Sequence, residues 1–376
     1  GSLHIHRTIQ LHLPKNTIYG IRFDEGAVLG EDGSVCDRGA YGPYRQSLRG
    51  PIYRVYAKQL VKEGKAYPVF TTREELEALN TADKKAELLA RNWEEAQDSR
   101  REEQQRQRQF SIEEVEAHLR AGDPFVLRIL ADGNPERKIP FTDLVKGKME
   151  IPENDEDFVL LKSDGIPTYH FAHAVDDHLM GTTHVIRGEE WLPSLAKHLM
   201  LFRYLGFRLP KYLHIAQIMR LDENGNKKKL SKRDMGANMD DYSRMGYAPA
   251  CVCEYIMTLL NSNYEQWRQA NPTASYKDFP FKAGAMGNSG AMFDLAKFND
   301  VSKNVIAHMT ADEVYAFVAE WAKENDPDFY ALISADADYL KKFLSIGRGG
   351  KKPRKDLALW SDAKGYMDFM FDELFR

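Results

Sequence analysis

The chain has 376 residues, enough for two or three domains with sizeable cores, and 43% of it is hydrophobic and 29% charged. That balance excludes a disordered polyelectrolyte, and no run approaches the roughly 18 consecutive apolar residues of a membrane helix. The net charge of −4 gives no global attraction to nucleic acid, although a local field from a few Lys and Arg suffices to hold phosphate.

Three cysteines, Cys36, Cys251 and Cys253, form no disulfide framework, and the N-terminus lacks a signal-peptide pattern, so the cytoplasm is the expected compartment. The sequence starts Gly1-Ser2 without a Met and runs from GSLHI into HRTIQLHLPKN with no clear element. Turn signals follow at 24–34 and 39–47, then a helical run, IYRVYAKQLVKEG, with Gly64 placed to close it. From 73 to 120 the pattern is charged and helical, with Thr72 as N-cap and Glu75 at the capping-box distance.

Residues 124–165 change to short β-branched and aromatic runs bounded by Gly, Pro and Asp, which predicts sheet. A helix TYHFAHAVDDHLMG, a strand THVIRG, a helix EEWLPSLAKHLMLFRYLG with Leu195, Leu199, Phe202 and Leu205 on one side, and a strand YLHIAQIM follow. This alternation predicts a βαβ unit of a parallel sheet. From 237 the chain turns helical, with Pro249 in a first turn and Val252, Tyr255, Ile256 and Leu259 on a core face. A basic Gly-rich linker, GRGGKKPRK at 347–355, precedes an aromatic-rich helix over 356–376.

Four features are weighed for chemistry. KKKLSKRD, residues 227–234, sets five cations in its first seven positions behind a Gly225-Asn226 turn and reads as a basic loop able to clamp a triphosphate. Arg187 ends an apolar strand just before a helix start, where open α/β sheets bind ligands, and a guanidinium there can hold a carboxylate; a surface pair with Glu189 or Glu190 is the plainer alternative. His170, His173 and Asp177 share a helical face, a spacing open to zinc but commoner in hydrogen-bonded structure. Cys251 and Cys253 diverge on a helix and are read as core. No P-loop or dinucleotide fingerprint is present.

Taken together, GAYGPYRQSLR (39–49), GIPTYHFAHAVDDHLMGTTHVIRGEEW (165–191), KLSKRD (229–234) and FDLAKFNDVSKNVI (293–306) closely resemble bacterial glutamyl-tRNA synthetases, class I aminoacyl-tRNA synthetases. KLSKR is similar to the K-M-S-K-S signature of that class. The resemblance implies an α/β fold: a Rossmann-type catalytic core (1–72 and 161–236) split by an inserted acceptor-binding domain (73–160), then an all-helical stem-contact domain (237–345) and the start of a helical anticodon-binding domain (346–376).

It also implies the activity, a glutamate–tRNA ligase that makes glutamyl-adenylate from L-glutamate and ATP and passes the acyl group to tRNA(Glu). Lys229 and Lys232 are the implied catalytic cations. His4, Ile5, His214, Lys229, Ser231 and Lys232 are the implied ATP contacts. Tyr169, His173 and Arg187 are the implied glutamate contacts, and Arg45, Trp191, Lys351 and Lys352 the implied tRNA contacts. Mg2+ is expected with the nucleotide. KAYPVFTTREE (65–75) lacks the Cys cluster through which some relatives hold zinc, so no zinc is expected. A monomer that does not engage membranes is the expected state.

Two departures stand out. His173 occupies a position where relatives commonly carry Asn. GSLHI matches the start of the H-I-G-H signature at His4 and Ile5 but continues with His6 and Arg7, where a small residue is needed beside phosphate. The expectation drawn from this is that the sequence joins segments of a longer polypeptide, which an intact mass near 43 kDa would refute. Rival readings are a glutamate-activating paralogue that modifies a tRNA nucleoside and a non-catalytic tRNA-binding protein.

Overall fold

The computed structural model describes residues 19–20, 23–70, 108, 110–230, 239–288 and 290–375. His4, Ile5, Thr72, the stretch 73–107, Ser231 and Lys232 lie outside the described residues. Two compact units divide the chain, one holding residues 23–214 and the other 19–20 and 215 onward.

The first unit opens with an antiparallel hairpin, β1 (Gly26–Leu29) and β2 (Val35–Arg38). Helix α1 (Gly50–Lys62) follows, as its apolar spacing predicts, and buries Tyr53, Ala57 and Leu60. Its end is a Schellman motif: Gly64 donates to the Val61 carbonyl and Lys65 to that of Leu60, with Gly64 at φ +67°. Only a residue without Cβ adopts that φ cheaply.

The predicted sheet over 124–165 is present, though as antiparallel ribbons. Strand β3 (Ala66–Val69) pairs with β4 (Val126–Ile129), and β4 with β7 (Val159–Leu161); between β3 and β4 lies α2 (Ile112–Ala121). A separate hairpin joins β5 (Lys138–Asp143) to β6 (Gly147–Pro152).

Helix α3 (Tyr169–Leu179), strand β8 (His184–Gly188), helix α4 (Leu195–Leu205) and strand β9 (Lys211–Ile215) then form the strand-helix-strand unit. The Lys211 N–H bonds to the Thr183 carbonyl at 2.9 Å, joining the N-terminal ends of β8 and β9, so the two strands run parallel. Two details differ from the sequence reading. Glu189–Ser194 is a 3-10 turn, not α-helix, because Pro193 supplies no N–H to an α-helical ladder. The strand read over 212–219 stops at Ile215 and resumes as β10 (Met219–Leu221), because Met219 turns away to pair with Ala291 and Phe293.

The core of this unit gathers Tyr53, Leu60, Ile129, Leu160, Phe171 and Phe202. All four apolar residues expected on α4, Leu195, Leu199, Phe202 and Leu205, are buried, each contributing roughly 1.5–3 kcal/mol.

In the second unit β10 pairs with β11 (Lys227–Lys229) through a turn at Asp222–Asn226, with Gly225 at φ +79°. The first three lysines of the basic run are thus a hairpin arm, not loose loop. From Met239 onward the described elements are helical: α5 (Met239–Met245), α6 (Pro249–Leu260), α7 (Tyr264–Ala270), α8 (Leu295–Ala307), α9 (Ala311–Asn325), α10 (Pro327–Ala335), α11 (Ala337–Ser345) and α12 (Asp362–Tyr366). Asp294, Thr310, Asp326 and Asp336 cap the starts of α8 to α11 through their side chains. Pro249 sits in the first turn of α6, Cys251 is fully buried and Cys253 half-buried. At the centre Phe298 stacks between Tyr247, 4.1 Å between ring centroids, and Tyr255, 4.5 Å.

The continuous helix expected over 356–376 is broken. Leu357–Trp360 runs without helix because Trp360 donates its N–H to Gly246, and Asp362 takes those of Ala358 and Leu359. Among the described residues no helix is long and apolar enough to cross a membrane.

Candidate functional site

Strand β8 delivers Arg187 to its carboxyl-terminal end, where only 9% of the residue remains exposed. Its side chain enters a ring of histidines. Nε donates to His214 Nε2 at 3.0 Å and Nη1 to His198 Nδ1 at 3.1 Å, while the guanidinium carbon lies 4.9 Å above the Tyr212 ring. Glu189 pairs instead with Lys146 at 2.5 Å. Nη2 is buried and has no hydrogen-bond partner among the described residues.

These contacts fix the proton positions. A guanidinium only donates, so His214 Nε2 and His198 Nδ1 are acceptors and each ring carries its proton on the other nitrogen. For His214 that proton, on Nδ1, points to Asp143 Oδ2 at 2.7 Å. For His198 it is on Nε2, which donates to His170 Nδ1 at 2.9 Å. His170, half-buried, then holds its own proton on Nε2.

Energetics agree with neutral rings. Burial, aided by the charges of Lys197 and Arg187, lowers His170 to about 4. Burial lowers His198 further, with Arg187 adding to the effect. For His214 burial also lowers the pKa and outweighs the opposing pull of Asp143. Burial alone would raise Asp143, but hydrogen bonds from Lys146 N–H, His214 and Val145 N–H bring it below the ordinary carboxylate range.

His173, buried on α3, bonds through Nε2 to the Tyr212 hydroxyl at 2.8 Å and through Nδ1 to Asp177. Burial raises the pKa of Tyr212, which keeps its proton to donate. Tyr169 stacks parallel to His173 and packs its ring 4.3 Å from Trp191. Tyr169 is 43% exposed, so an apolar and aromatic rim borders a buried cation. The site therefore presents a positive charge whose immediate partners are all neutral, with unpaired N–H donors, a demand that an anionic oxygen group answers.

Arg187, Tyr169, His173 and Trp191 are thus brought together. His214 is adjacent, but its ring is fully buried with both nitrogens engaged, so it meets Arg187 and Asp143 and offers no nitrogen to an adenine. Lys229 ends β11 as an exposed side chain in the other unit, and Lys351 and Lys352 are exposed there too. On the His170, His173 and Asp177 face, His170 bonds to His198 and His173 to Tyr212 and Asp177, and among the described residues no group of three or more such side chains is disposed to bind an ion. A cavity of about 620 Å³ in the helical unit, bordered by Glu254, Arg268 and His308, includes none of the expected site residues.

Asp143, His198 and Tyr212 are site residues beyond those expected from the sequence. A histidine at 198 amid the apolar face of α4 was the available signal, since a lone polar residue in a buried stripe must find a partner. Also unanticipated is Arg49, fully buried, whose Nε donates to Asp176 Oδ1 at 2.9 Å and whose Nη1 donates to the carbonyls of Tyr41 and Pro43, both at 2.9 Å. Tyr53 adds a hydroxyl bond of 2.6 Å to Asp176. This ties the segment bearing Arg45 to α3, the helix that carries Tyr169 and His173.

Comparison with known proteins agrees on one family. Residues 21–271 match the profile of the class I tRNA synthetases (E and Q), catalytic domain. The chain is 46% identical over 359 residues to a glutamate–tRNA ligase of Acetivibrio thermocellus and 44% identical over 358 residues to one of Clostridium perfringens, in each case across 95% of this chain and 63% of the relative. It spans a little under two thirds of the length of these relatives. Among solved structures it is similar to a glutamate tRNA ligase from Elizabethkingia meningosepticum in complex with its amino acid, with TM-score 0.75 and 26% identity over 96% of this chain and 69% of that one.

Proposed function

Because the chain belongs to the class I tRNA synthetases for Glu and Gln, we infer that it is an ATP-dependent glutamate–tRNA ligase, acting on L-glutamate, ATP and tRNA(Glu). The observation that carries the reading is Arg187: a buried cation surrounded by neutral histidines, with Nη2 unpaired among the described residues. An amino acid with a second carboxylate supplies the missing acceptor in a charge-assisted pair.

In this reading the α-carboxylate oxygen of glutamate attacks the α-phosphorus of ATP, the bond to the bridging oxygen breaks, and pyrophosphate leaves with its electron pair. A ribose hydroxyl of the terminal adenosine of tRNA then attacks the acyl carbon, and AMP departs. The protein mainly orients reactants and offsets charge. Arg187 and Tyr169 serve the amino acid, and His173, whose ring nitrogens are taken by Tyr212 and Asp177, backs the Tyr169 ring instead of contacting substrate. Lys229 and Lys232, with Ser231, serve the phosphates, and His4 and Ile5 the nucleotide. Arg45, Trp191, Lys351 and Lys352 face tRNA. Mg2+ arrives with ATP as part of the substrate, and no step is assigned to it. The reaction belongs in the cytoplasm, where tRNA is charged.

The domain division expected from the sequence is kept as part of this proposal, with the helical unit contacting the tRNA stem. The test is glutamate-dependent exchange of pyrophosphate into ATP by the full polypeptide in the presence of tRNA. Exchange with glutamate and a base-labile acyl label at the 3′ end of tRNA support the reading. A base-stable label on an internal nucleoside favours the paralogue, and absence of exchange rejects ligase activity.

A further inference from the structure

The Arg187 contacts raise the question of why a buried guanidinium has histidine neighbours where a carboxylate would bind more strongly. Asp143 is held one ring away: its Oδ2 meets His214 at 2.7 Å, and it is the imidazole that meets Arg187. A carboxylate in direct contact would neutralise the cation and compete with an incoming acid. A neutral ring accepts the N–H and leaves the charge uncompensated.

The ring orientation is over-determined. Asp143 accepts the His214 side-chain and backbone N–H groups together with the backbone N–H groups of Val145 and Lys146, so the turn between β5 and β6 fixes the carboxylate that fixes the ring. On the other side His170 on α3 fixes the tautomer of His198 on α4. His198 and His214 have no exposed surface. Of the five guanidinium N–H groups two are held in this way, and neither N–H of Nη2 has a partner among the described residues.

We propose that His214 and His198 are positioning residues for amino-acid binding, which hold the Arg187 guanidinium in one orientation, charged and with its Nη2 side left for a ligand carboxylate. The proposal rests on the reading of Arg187 as the glutamate contact. Neither histidine touches substrate, and each acts through Arg187.

Residue geometry supplies the test. In His214→Gln the side-chain oxygen reaches the place of Nε2 and can still accept from Arg187. In His214→Asn the shorter amide keeps a donor for Asp143 but cannot reach Arg187. Full polypeptides carrying H214Q, H214N and Arg187→Ala are compared by Michaelis constants for glutamate and ATP in pyrophosphate exchange, by calorimetric titration with L-glutamate, and by Tm. Expected are a rise of at least about tenfold in the glutamate KM for H214N, an ATP KM within about twofold of the parent, and a glutamate KM for H214Q within about threefold.

If Arg187→Ala abolishes glutamate binding while H214N binds like the parent, the positioning role is overturned and the reading of Arg187 stands. If Arg187→Ala itself has no effect, that reading fails. Equal losses for both substrates that track Tm, or an H214Q variant as impaired as H214N, assign His214 a structural role only and overturn the proposal. Should H214N not fold, His198→Asn, which keeps an acceptor at the Nδ1 position, and His198→Leu, which removes it, ask the same question. Rescue by Asn alone supports positioning, and identical behaviour of the two overturns it.

Discussion

Arg49 and Asp176, separated by 127 residues in sequence, meet at 2.9 Å with the arginine fully buried and the aspartate one quarter exposed. The pair clips the Tyr41–Pro43 backbone to helix α3. Removing one partner leaves a buried charge without compensation, a loss that breaking such pairs puts at roughly 3–5 kcal/mol. Asp176→Asn is therefore expected to destabilise the protein by about 3 kcal/mol in urea unfolding. A loss below about 1 kcal/mol would mean that the two carbonyls hold Arg49 adequately by themselves.

Arg187→Lys should weaken glutamate use by about 10–100-fold while ATP use changes little. A lysine keeps the charge but cannot donate to both His214 and His198 from a planar fork. Parallel determination of the two Michaelis constants checks this, and comparable effects on both would place Arg187 elsewhere in the reaction.

Acid should destabilise the first unit. In the folded state His170 titrates at about 4, against an ordinary value of 6.5, and burial shifts His198 and His214 in the same direction. The unfolded chain binds more protons across that window, so stability is fully present above the ordinary imidazole value and declines as pH falls toward the folded one. Thermal unfolding between pH 7.5 and 5 should show Tm falling, and His170→Gln should flatten the slope. A Tm that rises on acidification would contradict the neutral tautomers assigned to the cluster.

Phe298→Ala is expected to cost about 3–5 kcal/mol, because the ring fills a fully buried space between Tyr247 and Tyr255. Near-ultraviolet circular dichroism should lose tyrosine signal as the stack opens. An unchanged spectrum with unchanged stability would show that the core re-closes around the vacancy.

Local chemistry made much of this readable in advance. The end of α1 at Gly64, the start of α6 at Pro249 and the buried stripe of α4 each depend on residues within one or two turns of one another. So does the placement of Arg187 at the end of β8. The break after Ile215 and the interrupted 356–376 segment were hidden, because their causes are backbone partners at Ala291, Phe293 and Gly246, far away in sequence. Asp143 was silent for the same reason, since nothing near it marks a site until the fold sets it against His214, and Tyr212, although two residues from His214, meets Arg187 only through the pairing of β8 with β9. Periodicity reports which face of an element is apolar, whereas convergence on a point requires the topology.

The hairpin arm Lys227–Lys229 imposes geometry on what sequence alone presents as a uniform run of ammonium groups. Alternation along a strand sends the first and third lysines to one side and the middle one to the other, with the like-facing pair roughly 7 Å apart. An extended polyanion lying along that side is gripped at two points, and Lys228 contributes to it only through long-range field. Charge count and charge presentation therefore come apart here: replacing the middle ammonium with serine removes as much formal charge as replacing either neighbour, yet leaves the Lys227 and Lys229 side intact.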